Sequence, residues 1–161
     1  METKLRFNSY GLLTPAEAIP AEMEVLKRHF VDAFPKSKTR GKLYGNLIQF
    51  NETLQKEVFP WYEMWVDGSF VTKKHNPGDV DVVIFLDAKV FKMRAKEIDR
   101  ISSVLFEKSR IDAYFVKVFS QGERGYLRYF MIRNYWESLF INNRGRVKKG
   151  FLKLTLTNQI D

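Results

Sequence analysis

The clearest structural signal in the chain is Val80–Leu86, with the sequence Val-Asp-Val-Val-Ile-Phe-Leu. A run of this length, rich in β-branched and aromatic residues, predicts a buried strand. Similar runs at Tyr62–Val66 and Arg110–Val118 lie on either side of it, and Phe151–Thr157 predicts a last strand near the end. Strands therefore dominate the middle of the chain.

Helical periodicity surrounds these strands. It predicts helices at about Ala21–Phe34, Thr39–Phe59, Ala88–Phe106 and Tyr126–Phe140. Pro20 is expected to open the first of them, and Pro35 and Pro60 to end the first and second. The pattern predicts an α+β fold, a small mixed sheet packed with helices. The 161 residues suit one domain, 1–161, with a helical part (1–60), a strand part (61–120) and a last helix and strand (121–161).

Composition excludes several classes of protein. The chain has no cysteine, which excludes a disulfide scaffold, Cys-ligated zinc and thiol catalysis, and its two histidines argue against a His-rich metal site. No apolar run approaches the roughly 20 residues of a membrane-spanning helix, and the N-terminus has no signal-peptide pattern. We therefore expect a cytoplasmic protein with no membrane partner.

The net charge of +8 favours anionic partners, either nucleic acid or phosphorylated small molecules. Basic residues concentrate at 36–42 and 144–153, whereas acids concentrate in the middle of the chain, around Asp79 and Asp81. An acidic centre in a basic chain suits a divalent metal that holds a polyphosphate. The alternative is that the basic runs are solvated surface.

The most informative motif joins Gly68-Ser69, a loop of nine residues, and then Asp79 and Asp81 at the start of an apolar strand. Residues i and i+2 of a strand share a face about 6.5–7 Å apart, so both carboxylates can grip one or two hard cations. Without a cation they repel each other. Gly68 lets the backbone approach a phosphate, and Ser69 offers a hydroxyl and an N–H.

Asp112 supplies a third carboxylate, on the apolar run Arg110–Val118. A strand that neighbours Val80–Leu86 would bring Asp112 to the same cation. Three convergent carboxylates suit a two-metal phosphoryl-transfer site.

Gly-Ser, about ten residues, Asp-x-Asp and a later Asp on a strand resemble the signature of the nucleotidyltransferase fold, the DNA polymerase beta-like superfamily with its minimal nucleotidyltransferases. The resemblance implies that Gly68 and Ser69 bind a triphosphate. It implies that Asp79, Asp81 and Asp112 are catalytic and hold Mg²⁺, with Mn²⁺ as the alternative ion, and that Asp112 helps to activate the acceptor hydroxyl.

The whole chain also looks like an uncharacterised bacterial family of nucleotidyltransferase-like proteins. This resemblance rests on three segments: Tyr10-Gly11-Leu12-Leu13-Thr14-Pro15, Trp65-Val66-Asp67-Gly68-Ser69-Phe70 and Lys149-Gly150-Phe151-Leu152-Lys153-Leu154.

Other charged residues admit two interpretations. Lys73 and Lys74 either contact the triphosphate or lie in an exposed loop. We do not include Asp67 in the predicted site. It lies one residue before Gly68, and neighbouring residues of a strand point to opposite faces, so its side chain is expected to point away from the site. Asp87 is expected to cap the helix that starts near Ala88.

The aromatic cluster of the last helix could stack a base, but its spacing favours a packed core. Its members are Tyr126, Tyr129, Phe130, Tyr135, Trp136 and Phe140. Similarly, Lys148-Lys149-Gly150 could bind phosphate or form a charged hairpin.

The favoured function is transfer of a nucleoside monophosphate from an NTP donor to a hydroxyl, with release of pyrophosphate. The acceptor could be a protein, an RNA or a small molecule. One alternative is a catalytically inactive binding module, such as a nucleotide sensor or an antitoxin with a partner protein from a toxin-antitoxin pair. The other is a nucleic-acid-binding protein, which would show steep salt dependence and no need for magnesium.

Overall fold

A computed structural model describes residues 4–143 and 147–157, which form the expected α+β fold. The strands are β1 (Arg6–Phe7), β2 (Leu13–Thr14), β3 (Ala18–Ala21), β4 (Trp61–Asp67), β5 (Val80–Asp87), β6 (Ile111–Val118), β7 (Asn142–Asn143), β8 (Val147–Lys148) and β9 (Phe151–Thr157). The α-helices are α1 (Met23–Lys27), α2 (Arg40–Glu57), α3 (Ala88–Met93), α4 (Ala95–Ser109) and α5 (Tyr126–Ile141). A π-helical segment, Arg28–Asp32, continues α1, and a 3-10 turn, Ser69–Val71, follows β4. Among these residues, no helix combines the length and the apolar character needed to cross a bilayer.

Five strands form one mixed sheet in the order β3-β9-β4-β5-β6. β5 and β6 are parallel and are joined through α3 and α4, because parallel neighbours need a crossover connection. β4 is antiparallel to both β5 and β9, and β3 is parallel to β9. The sheet thus takes strands from all three predicted parts of the chain.

Helices cover both faces of this sheet. Leu47 of α2 and Ile98 of α4 join Val82 in the larger core. On the opposite face, Phe140 of α5 joins Val83 in the smaller core. Neighbouring strand residues point to opposite faces, so β5 is apolar on both sides because both sides are covered.

Two predicted helices differ from the structure. Pro20, which is expected to open the first helix, lies in β3 instead, and α1 begins at Met23. β3 is an edge strand, where proline is tolerated because the second side of the strand needs no N–H donor. The helix predicted at Ala88–Phe106 is two helices that meet at Arg94. The expected cap is confirmed, because the Asp87 side chain accepts a hydrogen bond from the Lys89 N–H at 2.8 Å.

The aromatic cluster of α5 is only partly core. Phe140 is buried and Trp136 packs partly against the smaller core, but Phe130 and Tyr135 are exposed. The interpretation of the cluster as core is therefore wrong for Phe130 and Tyr135. The reason is geometrical, since one side of a surface helix covers the sheet while the other faces solvent.

Candidate functional site

Three aspartates form a row across the sheet, on the face that α5 covers. Asp67 ends β4 and pairs with Asp81 of β5, and Asp81 pairs with Asp112 of β6. Residues directly opposite each other in paired strands share a face, and here it is the face of Val83. Asp79 lies just before β5, beside this row. Asp112 thus lies on a strand that neighbours β5, as expected, and the charges of Asp79 and Asp112 both act on Asp81.

The exclusion of Asp67 from the site is wrong. Antiparallel pairing places Asp67 directly opposite Asp81, so both carboxylates point to one side of the sheet. Asp67 is buried and forms an ion pair with Lys149, which is also buried and lies 82 residues further along the chain.

Of the predicted hairpin residues, Lys148 lies in the antiparallel pair of β7 and β8, whereas Lys149, the next residue, is buried and does not belong to an exposed basic run. The backbone N–H of Lys149 donates to the Ile141 carbonyl at 2.9 Å, which ties it to the end of α5. Lys148, its neighbour, is exposed. Arg144 and Arg146 of the same predicted basic run lie outside the described residues.

Crowding of the carboxylates changes their protonation. Burial, together with the charges of Asp79, Asp112 and Asp67, raises the pKa of Asp81 to about 6, and Lys149 partly opposes this. Burial also raises the pKa of Asp67, against the opposing charge and hydrogen bond of Lys149. The folded protein therefore favours the protonated form of Asp81 more than water does, and a bound cation would stabilise the ionised form instead.

Gly68 makes this close arrangement possible. Its φ is +79°, in the region that favours glycine. A Cβ at this position would collide with a carboxylate oxygen of Asp81. The 3-10 turn that begins at Ser69 follows, and the Thr72 hydroxyl closes it by donating to the Ser69 carbonyl at 2.7 Å. Only glycine lets the backbone pass this close to the acidic row.

Arg40 holds the loop that continues from this turn. It belongs to the predicted basic run 36–42, yet it is fully buried. Its guanidinium donates to the carbonyls of Phe30 (2.8 Å), Phe70 (2.7 Å), Thr72 (2.8 Å) and Lys74 (2.5 Å). Burial lowers its pKa to about 10. Three of the four carbonyls belong to residues 70–74, so Arg40 sets the conformation of this loop.

Asp67, Asp79 and Asp81 line a cavity of about 1040 Å³ together with the loop that follows β4. This volume is at the upper end of the roughly 300–1,000 Å³ of small-molecule sites. Gly68, Ser69 and Lys74 line it, whereas Lys73 does not. Lys73 is exposed, and its Nζ lies 5.0 Å from the centre of the Phe7 ring. The interpretation of Lys73 as a residue of the site is therefore not supported by its position.

Aromatic residues form another part of the cavity wall. Tyr114 of β6 and Trp136 of α5 lie with ring centres 4.5 Å apart, and Tyr135 also lines the cavity. Asp112 does not line the cavity itself but accepts a hydrogen bond from the Tyr114 hydroxyl at 3.4 Å. A planar apolar group could stack on this wall while an anionic group lies near the loop.

The sequence profile of a family described as "Family of unknown function (DUF6932)" matches residues 5–155. The chain belongs to this family. No curated protein and no solved structure gives a significant match. The match spans every element of the DUF6932 chain from β1 to the central residues of β9, including the whole acidic row.

The donor chemistry of the site suits a hard cation, because its side chains offer carboxylate oxygens, the ligands that Mg²⁺ prefers. The strand pairing that places Asp67, Asp81 and Asp112 side by side is the structural observation in favour of such an ion. As they stand, no three His, Cys, Asp or Glu side chains within residues 4–143 and 147–157 are grouped so that they could hold one metal ion. A bound ion would therefore require side-chain movement in this DUF6932 chain.

Proposed function

We propose that this chain transfers a nucleoside monophosphate from an NTP to a hydroxyl acceptor. The observation that carries the proposal is the row Asp67–Asp81–Asp112, of which Asp67 and Asp81 line one cavity together with the Gly68-Ser69 turn. A glycine turn suits a phosphate chain because its backbone allows close approach. The acidic row suits the charge changes of phosphoryl transfer.

In the proposed reaction, the acceptor oxygen forms a bond to the α-phosphorus. The bond from that phosphorus to the oxygen bridging the β-phosphate breaks, and pyrophosphate leaves with its electron pair. The acceptor proton moves to the Asp112 carboxylate. Mg²⁺ or Mn²⁺ held by Asp79, Asp81 and Asp112 would neutralise phosphate charge.

Other residues of the cavity bind and orient the donor. Gly68 and Ser69 line the cavity and would contact the triphosphate, and Lys74, which also lines it, would add positive charge. The aromatic wall formed by Tyr114 and Trp136 offers a surface for the base.

Lys149 favours a second candidate function, that of a nucleotide-binding module without catalysis. Its ammonium already neutralises Asp67, so one carboxylate of the row is occupied by a fixed cation. Such a site could hold a phosphate through Lys149 without transferring it.

The test is thermal stability with Mg²⁺ and each of the four NTPs. The variants are Asp81→Asn and, as a matched control, Asp99→Asn, which removes an exposed carboxylate from α4. An NTP at 100 times its Kd adds about 2.7 kcal/mol, which corresponds to a rise in Tm of roughly 5–10 °C. We expect one NTP to give a magnesium-dependent rise that Asp81→Asn loses and Asp99→Asn keeps.

Transfer is then measured as pyrophosphate release and as label from an α-³²P-labelled NTP on the acceptor. A rise in Tm without release, in the presence of a range of hydroxyl acceptors, would favour the binding module. No rise with any NTP would contradict both candidate functions.

A further inference from the structure

The solvent side of α5 carries an unusual apolar surface. Leu127, Met131, Tyr135 and Leu139, called here the α5 stripe, follow one another at four-residue spacing and lie on one side of the helix. Their exposed fractions are 76%, 71%, 61% and 48%. Scattered exposed apolar residues are normal, but a contiguous apolar stripe marks an interaction site. We infer that the α5 stripe binds an acidic amphipathic helix of a partner protein.

The charged residues around the α5 stripe indicate the sign of the partner's charge. Arg128, in the first turn of α5, and Arg124, in the turn that precedes the helix, are both exposed. None of the exposed residues of α5 is acidic: Glu137 is half-buried, and Glu123, which is exposed, lies before the helix and accepts a hydrogen bond from the Ser120 backbone N–H. An acidic partner would therefore meet complementary charge at the edge of an apolar contact. A second copy of the chain would bring another net charge of +8 to the same surface, which opposes self-association.

The side chains of the stripe favour a protein over a nucleic acid. Single-stranded nucleic acids stack their bases on aromatic rings. Three of the four stripe residues, Leu127, Met131 and Leu139, are aliphatic and provide no such ring. Aliphatic anchors one turn apart fit the apolar face of a second helix, which is a common mode of peptide recognition.

The α5 stripe is continuous with the cavity. Tyr135 and Leu139 belong to the stripe and also line the cavity, whereas Leu127 and Met131 do not line it. A helix bound along the stripe would therefore have one end at the cavity opening. If the proposed function holds, on which this last step rests, the bound protein is the hydroxyl acceptor.

The test uses a labelled peptide of about 18 residues, five helical turns long. One version carries leucine on one face and glutamate elsewhere, and a matched version carries lysine in place of glutamate. Fluorescence anisotropy measures both against the native chain, Met131→Glu and Met93→Glu. Met93, at the end of α3, is 72% exposed, lies outside the stripe and receives the same charge change.

We expect the acidic peptide to bind the native chain about tenfold tighter than the basic one, and Met131→Glu to weaken its binding about tenfold. Met93→Glu should leave the Kd unchanged. Equal binding of both peptides, no binding, or an effect of Met93→Glu as large as that of Met131→Glu would overturn the inference.

Two further measurements cover the other occupants. The first uses an oligouridine of about 12 nucleotides, which is within the site size of single-strand-binding proteins. If it binds the native chain, neither peptide binds, and Met131→Glu loses the binding, the surface belongs to nucleic acid. Self-association of the native chain that Met131→Glu abolishes, seen by sedimentation, would assign it to a second copy. Either result overturns the proposal.

The nucleotide-induced rise in Tm separates this inference from the proposed function. Met131 does not line the cavity, so Met131→Glu should keep the full rise with Mg²⁺ and NTP. If Met131→Glu loses peptide binding but keeps that rise, the loss is due to the α5 stripe and not to the nucleotide site. If the native chain shows no rise with any NTP, the proposed function fails, and the binding of the peptide to the α5 stripe is still tested separately.

Discussion

Asp81 stores unfavourable charge in the folded protein. Burial and three neighbouring carboxylates raise its pKa from 3.8 to about 6, so the folded state binds a proton more readily than the unfolded state. A raised carboxyl pKa contributes stability below pH 3.8 that is lost as the pH rises through about 6. We expect Asp81→Asn to raise Tm at pH 8 by roughly 2–8 °C, about 1–2 kcal/mol after allowance for solvent screening.

At pH 4 the gain should largely disappear, because the native carboxyl is then mostly protonated. Scanning calorimetry at pH 4, 6 and 8 measures the difference. A gain of equal size in Asp99→Asn would contradict the explanation, since that variant removes an acid far from the row.

The ion pair of Lys149 with Asp67 tests whether the row is a coupled unit. Lys149→Met leaves the buried Asp67 carboxylate without its cation, which typically costs about 3–5 kcal/mol. In the double variant with Asp67→Asn that uncompensated charge is gone, so we expect much of the loss to be recovered. Urea unfolding of the four proteins of the cycle gives the coupling free energy, and additive losses would show that the two residues act independently.

At the scale of elements, Arg40 connects the start of α2 to the loop that follows β4. Lysine keeps the charge but cannot match a planar guanidinium that reaches four carbonyls. We expect Arg40→Lys to lower the free energy of unfolding by about 2–4 kcal/mol, since one or two buried carbonyls lose their donors. Hydrogen exchange should accelerate most at residues 69–75, and affinity for the NTP should fall.

Arg94→Lys is the matched control for that experiment, because Arg94 is exposed and its guanidinium forms an ion pair with the nearby Glu97 at 3.4 Å. Uniform acceleration of exchange across the sheet in Arg40→Lys would indicate a general loss of stability. The positioning role of Arg40 would then be contradicted.

The elements also show what could be predicted from sequence. Asp79 and Asp81 could be placed together because a strand has a period of two, and Asp112 because a parallel neighbour is expected after one crossover helix. The contact between Asp67 and Lys149 could not be predicted. It depends on the register between β4 and β5 and on the pairing of β9 with β4. The burial of Arg40 could not be predicted either, because it belongs to a basic run, and such runs are usually solvent-exposed.

At the scale of the whole molecule, a net charge of +8 surrounds an acidic site, and salt dependence distinguishes a small anionic substrate from nucleic acid. A nucleic-acid-binding protein with 6–10 phosphate contacts loses about 10³–10⁵ in affinity between about 50 and 200 mM salt. A magnesium-bound NTP carries few charges. Inside a cavity, those charges are screened by salt less than charges on an exposed surface are. We expect its Kd, measured by titration calorimetry over this range, to rise less than about tenfold. A steeper rise, or equal binding of an oligonucleotide without magnesium, would instead support a nucleic-acid-binding protein in which the acidic row has no catalytic role.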